Sequence, residues 1–268
     1  MTGGVLARSD ARHFQAEFGF AIQRGSVPGY SVVHKFGRNV AVGTTFVPIA
    51  FGGIYQTPQV AGATTLRVAA GNAADTSDGA GAREVTVQGL DANGEAVTEA
   101  IVTAGASASA VTSNSYIRLY RFFVSKSGTY ATQSAGSHTG DIVIENGTGG
   151  TTWGTIDATD FPKGQSEIAV YSIPSGKTGY IHSVAGFSDT ARITNIILFQ
   201  RTNILQTAAP YDAMRLILTE RLNGGDFALQ PLAPWGPFVG PTDIGWMGKV
   251  EASTSEIDID FEIRLHDT

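Results

Sequence analysis

The chain has 268 residues, 18 Lys+Arg against 24 Asp+Glu for a formal charge of −6, and no cysteine. Its length allows one large β domain or two ordinary ones. An acidic balance without a Lys/Arg block excludes binding nucleic acid through bulk charge, and the absence of thiols excludes disulfides, thiolate metal sites and a cysteine nucleophile.

The opening run, MTGGVLARSDARHF, meets a charge by Arg8 without an apolar stretch of signal-peptide length, so export by that route is not expected. Residues 1–60 carry scattered aromatics, among them Phe14, Phe18, Phe20, Tyr30, Phe36, Phe46, Phe51 and Tyr55, spaced by Gly and Pro without a sustained period. That pattern predicts an extended N-terminal arm packed on something else. Asn39 to Leu66 is free of charge, but Pro48, Gly52, Gly53 and Pro58 lie inside it, which argues against a membrane-spanning helix and a membrane partner.

Period-two alternation then recurs between Gly, Asn and Pro, predicting a β-sandwich domain over 61–164. Strands are expected at 66–70, 116–124 and 141–145. A hairpin is expected over 84–103, where Asn93-Gly94 supplies the turn. The Gly/Thr-rich run 146–164 is expected as a connector. A second sandwich is predicted over 165–268, with strands at 167–173, 178–184, 193–201 and 256–265 and a turn at Pro174-Ser175-Gly176. The fold class is therefore all-β, two jelly-roll-like sandwiches behind an arm. Residues 211–223 read either as a helix, capped by Asp212 and ended by Gly224, or as a strand leading into a hairpin with 227–232. Their strand-like neighbours favour the second.

Catalytic constellations are missing from the pattern. His13, His34, His138, His182 and His266 show no metal-ligand spacing, no G-x-S-x-G elbow occurs, and Gly176-Lys177-Thr178 lacks the first glycine of a phosphate loop. Asp157 and Asp160 form a carboxylate pair in the connector, where rigid placement is not expected. No enzyme activity and no cofactor are expected. In the last strand Glu256, Asp258, Asp260 and Glu262 share one face, with Ile257, Ile259, Phe261 and Ile263 on the other. This reads as a cation site or docking strip, or, as we favour, a solvated face paired across the sheet with arginines such as Arg192, Arg201, Arg215 or Arg221. Residues 227–248 hold four prolines with Trp235, Phe238 and Trp246. These rings read as a receptor or glycan platform, or as rings packed on the neighbouring sheet or on another subunit. With Phe36, Phe46, Phe51 and Tyr55 they are the candidate partner-binding residues.

The order Leu66-x-Val68, Ala74-Asp75-Thr76, Gly79-x-Gly81-Ala82, Val85-x-Val87-x-Gly89-Leu90-Asp91-Ala92, then Thr98-Glu99, resembles a recurrent pattern in virion structural proteins of tailed bacteriophages. GRNVAVGTTFVPIAFGGIYQTP, YIRLYRFFVSKSG and GQSEIAVYSIPSGKTGYIHS resemble that family too, so the likeness spans roughly residues 36–184. It implies a non-enzymatic component of the head, neck or tail, located on the virion, that binds other virion proteins and copies of itself. A trimer is expected by analogy with phage fibres. The alternative role is a host-receptor or carbohydrate-binding β module.

Overall fold

The computed structural model describes residues 19–132, 135–147, 149–159 and 164–268. The fold is all-β, built around two hydrophobic cores. The first is a sandwich of two three-stranded antiparallel sheets. In one, β7 (Ile142–Asn146) lies between β3 (Leu66–Ala70) and β8 (Thr152–Ile156). In the other, β4 (Ala82–Leu90) lies between β5 (Ala96–Val102) and β6 (Arg118–Ser127). Alternation does the work: Leu66, Val68, Val85, Val87, Phe122, Ile142 and Ile144 point inward and are fully buried, together with Trp153 and Ile156 from β8. The predicted hairpin is present as β4 and β5, with Gly94 at φ 76° and the Asp91 carboxylate accepting the backbone N–H groups of Asn93 and Glu95. Residues 152–156, read as connector, are instead a strand of this sandwich.

The second core lies under an eight-stranded sheet whose spine is β10 (Lys177–Arg201). Its first half pairs with β14 (Ser255–Asp267) and its second half with β13 (Thr242–Val250), while β11 (Arg215–Leu229) follows both halves on the opposite edge. A register shift between Ser188 and Ile193 marks the bend that lets one strand serve both. β9 (Val170–Ile173) joins β13, and β12 (Trp235–Val239) joins the start of β10. The two strands predicted at 178–184 and 193–201 are thus one. Residues 215–229 are a strand, as favoured, but the chain does not reverse at Gly224-Gly225; those glycines, at φ 74° and 89°, sit at the shift and β11 continues.

The segment read as an arm departs from that reading from residue 30 onward. β1 (Tyr30–Val42) pairs antiparallel with β14, and β2 (Val47–Pro48) pairs with β13. Its aromatics showed no period because β1 is covered on its inner face by Lys35, Gly37 and Asn39 rather than by large apolar groups. Residues 1–18 lie outside the described residues. Gly37 is where β1 crosses the core closely: a Cβ there would stand 2.1 Å from the Ala169 nitrogen and 2.3 Å from the Ile49 oxygen. Backbone cannot give way as a side-chain tip can. Gly37→Ala should therefore destabilise the protein by about 2 kcal/mol or more, read as a lowered urea midpoint with an unchanged slope.

Candidate functional site

The seven candidate rings do not form one surface. Trp246 is fully buried on β13, between Phe227 and Phe261 at ring separations of 6.5 and 6.4 Å, and Phe238 is buried in the same core. Both are removed from the partner-binding set, because a side chain that fills a core has no face left for a ligand. Trp235 is half-buried against the same core, and Phe36 and Phe51 are also half-buried. Tyr55 turns its hydroxyl inward. Phe46 is the ring left open to solvent, 38% exposed, with the Lys249 ammonium 5.0 Å from its centroid.

Phe46 stands at one end of a groove of about 420 Å³ on the outer face of the bent sheet, lined also by Ile197, Leu216, Thr219, Glu220 and Lys249. The groove opens along β11. Among the described residues that strand pairs only with β10, so the backbone on its other edge faces outward over 15 residues. Leu216 is 58% exposed, Ile217 38%, and Met214 and Tyr211 just before it are exposed as well. An exposed, long, apolar edge is a template for another strand. Sequence reading found the strand but not its exposure, since the pairing of β10 with β13 rather than with a second β11 neighbour is a long-range matter.

The acidic strand behaves as its alternation predicts: Ile257, Ile259, Phe261 and Ile263 are buried, and the carboxylates share the opposite face. The partners differ from those named. Arg38 of β1 bonds Glu256 at 2.5 Å and approaches Asp258 at 3.8 Å, His34 lies 4.0 Å from Asp260, and Arg264 lies 3.6 Å from Glu262. Arg221 instead meets Glu251 at 2.9 Å. The correction follows from β1 being the neighbour of β14. No group of three or more His, Asp or Glu among the described residues is placed to hold a metal ion. Asp160 lies outside the described residues. Asp75, from the run that carries the phage resemblance, is a fully buried carboxylate accepting N–H groups of Ala82, Thr139 and Gly140 at 2.7–2.9 Å. Gly81 beside it has no room for a Cβ, which would stand 2.0 Å from Asp75 Oδ1. That run ties a loop together and has its donors already supplied.

Two buried polar centres connect the cores. At the first, Arg118 Nε donates to both oxygens of Asp243 at 3.2 and 2.9 Å, with both side chains wholly enclosed. The Ser172 hydroxyl donates to Asp243 at 2.7 Å, and the Tyr55 hydroxyl lies 3.1 Å from the same oxygen. Burial, reinforced by the Asp243 charge, raises the Tyr55 phenol well above its usual range. At the second, Lys35 is 5% exposed and its Nζ donates to the Tyr120 carbonyl. Burial, and then the neighbouring Arg121 charge, lowers its pKa to about 7. The Tyr120 phenol is pushed up to about 12 by burial, and its ring packs 4.8 Å from that of Tyr171. Nothing in the sequence marks either centre, because each joins residues far apart in the chain.

No family model matches the chain, and no curated protein matches it. Among solved structures, a chain described as "The 2.6A structure of Infectious Bursal Virus Derived T=1 Particles" is 9% identical, with 93% of this chain and 79% of that chain covered and a TM-score of 0.14. Similarity at that level carries no argument about fold or role.

Two measurements test the buried centres. Arg118→Met alone should cost about 3–5 kcal/mol, because it strands the Asp243 charge, whereas adding Asp243→Leu should recover most of the loss; urea unfolding of the three proteins completes the cycle. For Lys35 the folded pKa is depressed from 10.5 to about 7. The unfolded chain then binds more protons between those values, so stability rises with pH across that window and is flat below it. Lys35→Met should abolish that rise, and its melting-temperature advantage over the parent should be larger at pH 7 than at pH 10.

Proposed function

We propose that this protein is a non-enzymatic structural component of a tailed-bacteriophage particle, which self-associates through the free edge of β11 and attaches to the head, neck or tail. The observation that carries the reading is that edge: 15 residues long, apolar at Leu216 and Ile217, and flanked by the Phe46 groove. Its occupant is a second copy of the chain. The strand carries Arg215, Glu220, Arg221 and Asp226, two charges of each sign, and antiparallel pairing brings the Arg215 end of one copy toward the Asp226 end of the other. No block of like charge then opposes contact. The low-charge surface and the sequence likeness over residues 36–184 support the same reading, and an assembled particle multiplies such a weak edge contact by repetition. The receptor-binding alternative loses its platform, since Trp246 and Phe238 are core residues.

Light scattering on the purified chain should give a mass of twice 28.1 kDa at micromolar concentration, because an edge that pairs with its own copy closes at two. The double variant Leu216→Lys, Ile217→Lys places charge on the exposed edge, leaves the buried face of β11 alone, and should return the mass to that of the monomer without lowering the melting temperature. A monomeric parent protein, or a variant that assembles unchanged, would remove the edge from the reading. Imaging of particles with this chain labelled would then decide particle attachment separately.

A further inference from the structure

A second cleft, also of about 420 Å³, opens between β1 and the start of β6, away from the β11 edge. Its lining includes Lys35, Arg121, Gln88, Tyr120 and Tyr171, with His34 at the rim. We propose that this cleft is a binding site for a single oxyanion, a carboxylate or a phosphate, held between the Lys35 ammonium and the Arg121 guanidinium.

Three observations converge on that chemistry. First, the lining holds two cationic side chains and, among the described residues, no carboxylate. Arg121 lies 5.5 Å from the Phe123 ring, which orients it without neutralising it. Asp260 and Glu262 of the neighbouring β14 are opposite Phe36 and His34 in the register, whereas Lys35 is opposite Phe261 on the buried side, and neither carboxylate is in the lining. Second, the buried ammonium donates to the Tyr120 carbonyl and stands 5.9 Å from the Tyr120 ring centroid, both neutral groups, so among the described residues no carboxylate answers its charge. A buried cation without a counter-charge is costly, and an anion entering the cleft would supply one. Third, the rest of the wall is suited to neutral hydrogen bonding around that charge: the Gln88 amide is one donor, and the Tyr120 and Tyr171 phenols keep their protons because burial raises both.

Anion binding is coupled to the charge of Lys35. The ammonium is half-titrated at about pH 7 in the free protein, so a bound anion raises that value and binding weakens as the pH climbs past it. His34 stands at the rim with its Nε2 4.0 Å from Asp260, and Arg121 is the second cation of the lining.

The test uses the full chain with acetate and sulfate, neither of which changes charge between pH 6 and pH 8.5, each titrated by calorimetry at constant ionic strength. The expected result is saturable one-to-one binding of at least one of them, weakening about tenfold or more from pH 6 to pH 8.5, as loss of one required proton demands. Tighter acetate assigns the carboxylate class and tighter sulfate the phosphate class. Lys35→Met should abolish the binding. Arg121→Gln, which leaves the buried lysine in place and so keeps the fold, should weaken it about tenfold and keep the pH dependence. No saturation with either anion, or affinities unchanged in both variants, would overturn the site.

Discussion

A guanidinium and a carboxylate sealed together between two cores set the constraint on which the rest of this molecule depends. Arg118 opens β6 of the first sandwich and Asp243 sits in β13 of the bent sheet, 125 positions apart in sequence and with no exposure at either side chain. Neither charge can be left alone in that environment, since removing one partner leaves a buried charge that only water or rearrangement could satisfy. The pair therefore fixes the start of β6 against β13, and Tyr55 and Ser172 extend the tie to the segment after β2 and to β9. The two cores interlock around it. Leu90 and Tyr120 from the sandwich strands, and Ile117 just before β6, belong to the second core, while Val170 and Phe199 from the bent sheet belong to the first. A boundary near residue 164 divides the sequence more cleanly than it divides the packing.

What could be read from the sequence was whatever depends on neighbours within a strand. β14 is legible because Ile257, Ile259, Phe261 and Ile263 alternate with acids, β3 because Leu66, Val68 and Ala70 alternate inward, and the β4–β5 hairpin because Asn93-Gly94 marks its turn. β13 begins inside the proline-rich segment 227–248 and has no alternation to mark it. Both of its faces are covered, so Ile244, Gly245 and Trp246 are all buried and no alternation survives. β1 was hidden for the opposite reason. Its inner positions are Lys35, Gly37 and Asn39, a polar and small series that only makes sense once the Tyr120 carbonyl and the backbone at Ala169 are known to lie against it.

The same distinction explains the candidate site. Aromatic residues were nominated because their type is common at interfaces, yet type does not say which side of a strand faces out. Trp246 and Phe46 illustrate the two outcomes. One is enclosed by β10, β11 and β14 residues, while the other hangs over the uncovered part of the sheet's outer face, beyond the region where Phe199 and Met247 pack on the sandwich. The exposure of Phe46 is thus set by where the first sandwich stops covering the second sheet, and the Arg118–Asp243 pair determines that docking.

The edges of the sheet are treated unequally. β1, at one margin, places Arg38 and His34 against the acids of β14, so that side presents a row of alternating charge that water solvates well and that an incoming apolar strand would have to desolvate. β11, at the other margin, offers Leu216 and Ile217 with a charge pattern that sums to zero. Its irregularity at Gly224-Gly225 follows the bend of β10, and a second register shift between Leu216 and Leu218 leaves Ile217 as an extra residue at the near end of the strand. A sheet that places charge along one edge and leaves the other apolar at Leu216 and Ile217 is asymmetric in what its two margins offer. The self-association proposed above is thereby confined to one margin, where an edge that meets its own copy antiparallel closes as a two-fold contact.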